Sequence, residues 1–128
     1  MKSIAILWSM IKVVIFDADG VLINSKLFSE SLEENFGINR KDTREFFYDV
    51  LPECVLGKRD LKEVLPPYLK KWGWKKSVDN FIDAWHTAEH NVDEELVQYI
   101  QDLREKGIIC ALATNQTKQR FAYMLEEM

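Results

Sequence analysis

Two carboxylates, Asp17 and Asp19, stand two residues apart at the end of an apolar run, Ile11-Lys12-Val13-Val14-Ile15-Phe16. Gly20 follows at once and lets the backbone turn sharply. Acids that close together repel unless a cation or a shared proton relieves them. A solvated Asx turn would account for the residue types, but not for the buried-strand pattern that leads into them. The chemistry that suits the pair is nucleophilic attack by one carboxylate and general acid/base work by the other, assisted by Mg²⁺.

A second group sits at the end of another apolar run. Ile108-Ile109-Cys110-Ala111-Leu112-Ala113 leads into Thr114-Asn115. A hydroxyl and backbone amides at a strand end, ahead of a helix, can hold phosphoryl oxygens. Elsewhere, Leu56-Gly57-Lys58-Arg59 offers two cations in a short loop, which also reads as a solvated helix start. His86-Thr87-Ala88-Glu89-His90 has the H-x-x-E-H spacing of inverted zinc peptidases. No later helix supplies an obvious third ligand, so this run reads as a solvated helix face.

The elements that must position these groups follow from periodicity. Both apolar runs are short and rich in β-branched residues, as in parallel strands buried on both faces. Ligands bind at the carboxyl ends of such strands. Between them the pattern is helical. Asn24 or Ser25 should cap a helix carrying Leu27, Phe28, Leu32 and Phe36 and stopped by Gly37. Asp42 and Glu45 resemble a capping box, with Pro52 closing or bending the helix that follows. Asp60 and Glu63 signal a third start, and Pro66-Pro67 should break that helix. Ser77 should cap Val78, Phe81, Ile82 and Trp85. Trp72, Trp74, Phe81 and Trp85 read as core aromatics. Asp93, Glu94 and Glu95 open a helix ending near Gly107, and Thr117 should cap the last one.

Val13-Val14-Ile15-Phe16-Asp17-Ala18-Asp19-Gly20-Val21-Leu22 resembles the first motif of the haloacid dehalogenase-like (HAD) superfamily of phosphatases and phosphotransferases. Leu112-Ala113-Thr114-Asn115 resembles its second motif. The resemblance implies that Asp17 attacks phosphorus and that Asp19 protonates the leaving oxygen and then activates water. It also implies that Thr114 and Asn115 bind the phosphoryl group. Mg²⁺ would be held by the Asp17 carboxylate and the Asp19 backbone carbonyl. Dehalogenase members lack the second acid, so Asp19 points to phosphoryl transfer. The Gly57-Lys58-Arg59 loop resembles the substrate-specificity loop of cap-bearing sugar-phosphate mutases and phosphatases.

The fold this implies is α/β: a partial Rossmann-like HAD core with only the first strands of a parallel sheet, and an α-helical cap. Residues 1–9 form an N-terminal extension, 10–23 and 93–128 the core, and 24–92 the cap. The family's third motif supplies a lysine and its fourth supplies acids for Mg²⁺, and both would lie beyond Met128. The sequence therefore reads as a truncated HAD hydrolase. The expected activity is a Mg²⁺-dependent phosphatase acting on a small phosphorylated metabolite. The alternative is a truncated, non-catalytic HAD remnant or a fragment completed by a partner, and a phosphomutase is the near alternative.

Composition narrows the partners. With 128 residues, 47% hydrophobic and 30% charged, the chain suits one soluble globular domain. A net charge of −4 argues against nucleic acid as a main partner. The apolar run Ile4-Ala5-Ile6-Leu7-Trp8 is too short to span a membrane. Cys54 and Cys110 lack metal-ligand spacing, which suits free thiols in a reducing cytoplasm. Two strands leave open edges and apolar faces, so self-association through the incomplete sheet is expected.

Overall fold

The computed structural model describes residues 10–128, so the expectations placed on residues 1–9 lie outside the described residues. In chain order the elements are strand β1 (Val13–Phe16), helices α1 (Phe28–Phe36) and α2 (Arg40–Glu45), and a π-helical turn (Phe46–Val50). Helices α3 (Leu51–Val55), α4 (Leu61–Trp72), α5 (Val78–Ala88) and α6 (Glu94–Glu105) follow, then strand β2 (Ile109–Leu112) and helix α7 (Lys118–Glu127). They divide into two compact units. One takes the chain up to Asn24 with Asn91–Thr114; the other takes Ser25–His90 with Asn115–Met128.

In the strand unit, β1 and β2 pair in parallel with Val13 opposite Ile109 and Phe16 opposite Leu112. Alternation puts Val14, Phe16 and Cys110 on one face, and all three are half-buried. Helix α6 packs against β2 there, with Cys110 Sγ 3.9 Å from the Ile100 carbonyl. Asp93 caps α6 by accepting the Leu96 N–H at 3.0 Å. The opposite face differs from the expectation of strands buried on both sides. Val13, Ile15 and Ile109 are 48%, 67% and 63% exposed. Among the described residues of this unit, helix α6 is the one packed against the sheet, on the face of Cys110.

The helical unit has a closed core. Phe28 stacks on Trp85 with centroids 5.4 Å apart and meets Phe81 edge-on. Phe46 meets Trp72 edge-on, and Trp74 does the same to Phe81. Leu32, Leu61, Leu65 and Ile82 fill the space around these rings. The indole N–H groups of Trp72 and Trp74 donate to the carbonyls of Asp42 and Ser77, so neither ring leaves that polar atom unpaired. The aromatic stripe is core, as its spacing predicted.

Several helix boundaries differ from the sequence pattern. Helix α1 starts at Phe28 without a side-chain cap, because its cap position is Leu27, three residues past Asn24, and an aliphatic side chain offers no acceptor. Asn39 caps α2 by accepting the Lys41 N–H at 2.8 Å, so Asp42 lies inside the helix rather than at its start. Pro52 sits in the first turn of α3, directly after the π-helical turn. Its ring would crowd the Tyr48 carbonyl of a regular helix, and the widened turn relieves that contact. Pro66 and Pro67 do not break α4, which runs unbroken to Trp72. They free the carbonyls of Lys62 and Glu63, both solvent-exposed residues, so water can satisfy those groups.

The expected partition also differs at the C-terminal end. The sequence pattern places residues 93–128 in the core, whereas the structure groups 115–128 with the helical unit. Helix α7 finds its partners there: Arg120 pairs with Glu89, and the Tyr123 ring lies 5.0 Å from that of His86.

Candidate active site

The strand unit brings the first acid and the threonine to one place. The parallel ladder continues past its last pair, since the Ala113 N–H donates to the Phe16 carbonyl at 2.8 Å. Asp17 and Thr114 therefore leave the sheet at the same end, which is its carboxyl end. Asp17 is exposed and Thr114 half-buried. The Ala18 N–H donates to Asp17 Oδ1 at 2.7 Å, which engages one of the two carboxylate oxygens.

The turn after β1 is held by its own backbone. Ala18 is fully buried, and its carbonyl accepts from the N–H groups of Val21 and Ile23 at 3.1 and 2.9 Å. Gly20 returns its N–H to the Ile23 carbonyl at 2.9 Å, with φ +77°. That left-handed conformation is what the glycine supplies. Asp19 is carried on this turn as an exposed side chain. The turn is tied to the return linker. Ile23 bridges Val92, the Asn24 N–H donates to the Asn91 carbonyl at 2.9 Å, and the Asn91 amide donates back to the Asn24 carbonyl. Both chain crossings beside the acids are thus locked to each other.

Asn115 follows Thr114 directly, and Thr117 then caps α7 by accepting the Arg120 N–H at 3.2 Å. The helix start after the second strand is as the sequence predicted. Lys58 and Arg59 lie in the helical unit, in the loop between α3 and α4. Gly57 has φ +72°, Lys58 is exposed, and Arg59 pairs with Glu53 at 3.4 Å. The cations of α7 are also engaged. Lys118 pairs with Asp60, and Arg120 with Glu89.

The H-x-x-E-H run is not a solvated face. His86 is 4% exposed, Glu89 is half-buried against Arg120, and His90 Nδ1 lies 2.8 Å from Tyr123 Oη. Burial, then the nearby Arg120 charge, push His86 down to about 4, so it is neutral at physiological pH. The i, i+4 histidine spacing was visible in the sequence. Its partner, a tyrosine more than thirty residues away, was not. Asp60 was legible as a helix cap, but its hold on Lys118 and Gln119 was not.

Mg²⁺ fits the donors at the sheet end as far as they go. Among the described residues no group of three or more His, Cys, Asp or Glu could hold a metal. Mg²⁺, however, commonly takes one or two carboxylates and completes its shell with water and substrate phosphate. The Asp17 carboxylate and the Asp19 backbone carbonyl are hard oxygen donors of the kind Mg²⁺ takes.

A family model, haloacid dehalogenase-like hydrolase, matches residues 11–128. The chain belongs to this family. Among solved structures it is similar to a HAD family enzyme of Bacteroides thetaiotaomicron. The wild-type enzyme in complex with magnesium and inorganic phosphate gives a TM-score of 0.70 at 21% identity, covering 91% of this chain and 59% of that one. An aspartate-to-alanine variant of the same enzyme, also with magnesium and inorganic phosphate, gives 0.70 at 17% identity, with 91% and 58% covered. Its magnesium complex gives 0.70 at 20% identity, with the same coverage as the variant. The chain thus spans less than two thirds of the length of these structures. No curated protein matches it.

Proposed function

We propose that the protein carrying this chain is a Mg²⁺-dependent phosphatase that acts on a small phosphorylated metabolite through an aspartyl-phosphate. The observation that carries the reading is the register of the two strands, which sets Asp17 and Thr114 at one end of the sheet. Asp17 Oδ2 attacks phosphorus while Oδ1 stays hydrogen-bonded to the Ala18 N–H. Asp19 gives its proton to the departing alkoxide. It then takes a proton from the water that cleaves the acyl-phosphate, so acid and base are one group. The Thr114 hydroxyl and the Asn115 backbone N–H donate to the phosphoryl oxygens. Bound through Asp17 and Asp19, Mg²⁺ supplies positive charge against the phosphate and the nucleophile. Lys58 and Arg59 are assigned to substrate selection. The site of action is the reducing cytoplasm, in keeping with the free Cys54 and Cys110. Among the described residues, no helix is long and apolar enough to cross a membrane.

Supporting this are the family match and the similarity to enzymes crystallised with magnesium and phosphate. One observation favours a second reading, a remnant or a fragment completed by a partner. Lys118 and Arg120, the cations nearest in sequence to Thr114, both pair with carboxylates of the helical unit. A phosphomutase shares the aspartyl-phosphate and differs in the acceptor. Turnover of sugar phosphates and phosphoglycolate, with Asp17→Asn alongside, tests the proposal. Loss of turnover by about four orders of magnitude is expected for a missing nucleophile. Unchanged activity in Asp17→Asn refutes the assignment.

A further inference from the structure

The helical unit holds a local excess of positive charge that runs against the chain as a whole. The net charge is −4, yet Lys70, Lys71, Lys75 and Lys76 fall within one short stretch that contains no acid. Trp72 and Trp74 lie between the two lysine pairs, on either side of Gly73. Helix α4 ends there, and the Trp74 N–H returns to the Leu69 carbonyl at 2.9 Å. The Trp74 indole N–H donates to the Ser77 carbonyl at 3.2 Å. Its ring meets Phe36 and Phe81 edge-on, with centroids 5.0 and 5.1 Å away. Backbone, indole N–H and ring are thus all held within this unit.

Beside that ring lies a cavity of about 220 Å³, lined by Phe36, Ile38, Trp72, Trp74, Lys75 and Lys76. All of these residues belong to the helical unit. Phe36 is 46% exposed and Trp74 half-buried, so the wall presents aromatic surface to an entering molecule. Lys26, Arg40, Arg59 and Lys62 of the same unit each pair with a carboxylate. Among the described residues, Lys75 and Lys76 form no ion pair.

We propose that this cavity binds a small amphipathic anion: a planar apolar group of one or two rings bearing a carboxylate, sulfonate or phosphate. Phe36, Ile38 and Trp74 take the ring, and Lys75 and Lys76 take the charge. Pockets for drug-sized ligands run to roughly 300–1,000 Å³, so this smaller one suits one or two rings. A solvated basic turn accounts for the lysines, but not for a cavity walled by a fixed indole beside them. The site uses no residue assigned to phosphoryl transfer, so it stands or falls independently of the phosphatase reading.

Calorimetric titration of the full chain with naphthoate, and with its neutral counterpart naphthylmethanol, tests this. Naphthoate should bind at a single site, several-fold more tightly than the alcohol. Lys75→Glu with Lys76→Glu should weaken naphthoate binding about tenfold and leave the alcohol unaffected. Both lysines are exposed, so that variant keeps the fold. Added salt should weaken naphthoate alone. Phe36→Ala should weaken both ligands a few-fold. Lysine at both Ile15 and Ile109, on the bare sheet face, should change neither. Equal affinity for acid and alcohol overturns the proposal, as does unchanged naphthoate binding in the Lys75/Lys76 variant. Loss confined to the Ile15/Ile109 variant puts the ligand on the sheet and overturns it too. So does a wild-type chain that takes up no naphthoate.

Discussion

In the helical unit, Phe46 and Phe81 are fully buried and five aromatic rings lock edge to face around them. In the strand unit, Ile15 and Ile109 face outward at 67% and 63% exposure, and among the described residues helix α6 packs on the other side of the sheet. The residues assigned to chemistry sit mainly in the second unit, at the end of the less covered element. The packed core lies in the helical unit, and the residues proposed for chemistry lie mainly in the strand unit, two acids at the backbone-bonded turn after β1 and the Thr114 hydroxyl at the end of β2.

Truncating a core ring should break the contrast most strongly. Phe81→Ala removes a side chain in contact with Phe28, Trp74 and Trp85, at an expected cost of about 3–5 kcal/mol. That is a large share of the roughly 5–15 kcal/mol available to a whole domain. Urea denaturation followed by tryptophan fluorescence reads it, because the indoles line that core.

Acid should come next. His86 is held neutral in the folded chain down to about pH 4, against an ordinary value of 6.5. Its contribution is complete above pH 6.5. It is lost as pH falls toward 4, because the unfolded chain takes up the proton first. Between pH 7 and 5 this amounts to about 2 kcal/mol, and His86→Gln should flatten that slope. Asp83 and Arg120, the charged neighbours of His86, act in opposite directions on it and temper the effect without reversing its sign. Denaturation midpoints at several pH values check both chains.

The smallest effects belong to the bare sheet face. Ile15→Ala should cost less than about 1 kcal/mol, since the side chain leaves little water behind on folding. The same exposure favours association of copies through the sheet. Lysine at both Ile15 and Ile109 should shift the sedimentation profile of the chain toward monomer, as charged edges do in natural sheets. An unaltered profile would remove the sheet face from the account.

Much of this architecture was legible because single residues dictate it. Asp93, Thr117 and Ser77 cap their helices by accepting backbone N–H groups, and Gly37 ends α1 in the left-handed region. The acids and the threonine were legible as a set because the apolar runs before them announce strand ends. What escaped was set by distant partners or by water. Helix α1 begins after Leu27, not after Asn24 or Ser25, and Asn24 gives its amide to Asp93, 69 positions away. Pro66 and Pro67 sit in a helix whose freed carbonyls belong to exposed residues, Lys62 and Glu63. The histidine run needed Arg120 and Tyr123 beside it before its role could be seen. The exposed strand face had a sequence signal too, since helices enough to cover both sides were not in view.

The most direct test of the central claim is a search for the covalent intermediate. The protein is mixed with a substrate it turns over and Mg²⁺, quenched in acid, digested and analysed by mass spectrometry. The account predicts a phosphoryl group on the peptide containing Asp17, absent from Asp17→Asn and labile to hydroxylamine as an acyl-phosphate. Turnover with no label on Asp17, or with the label on another residue, would contradict it.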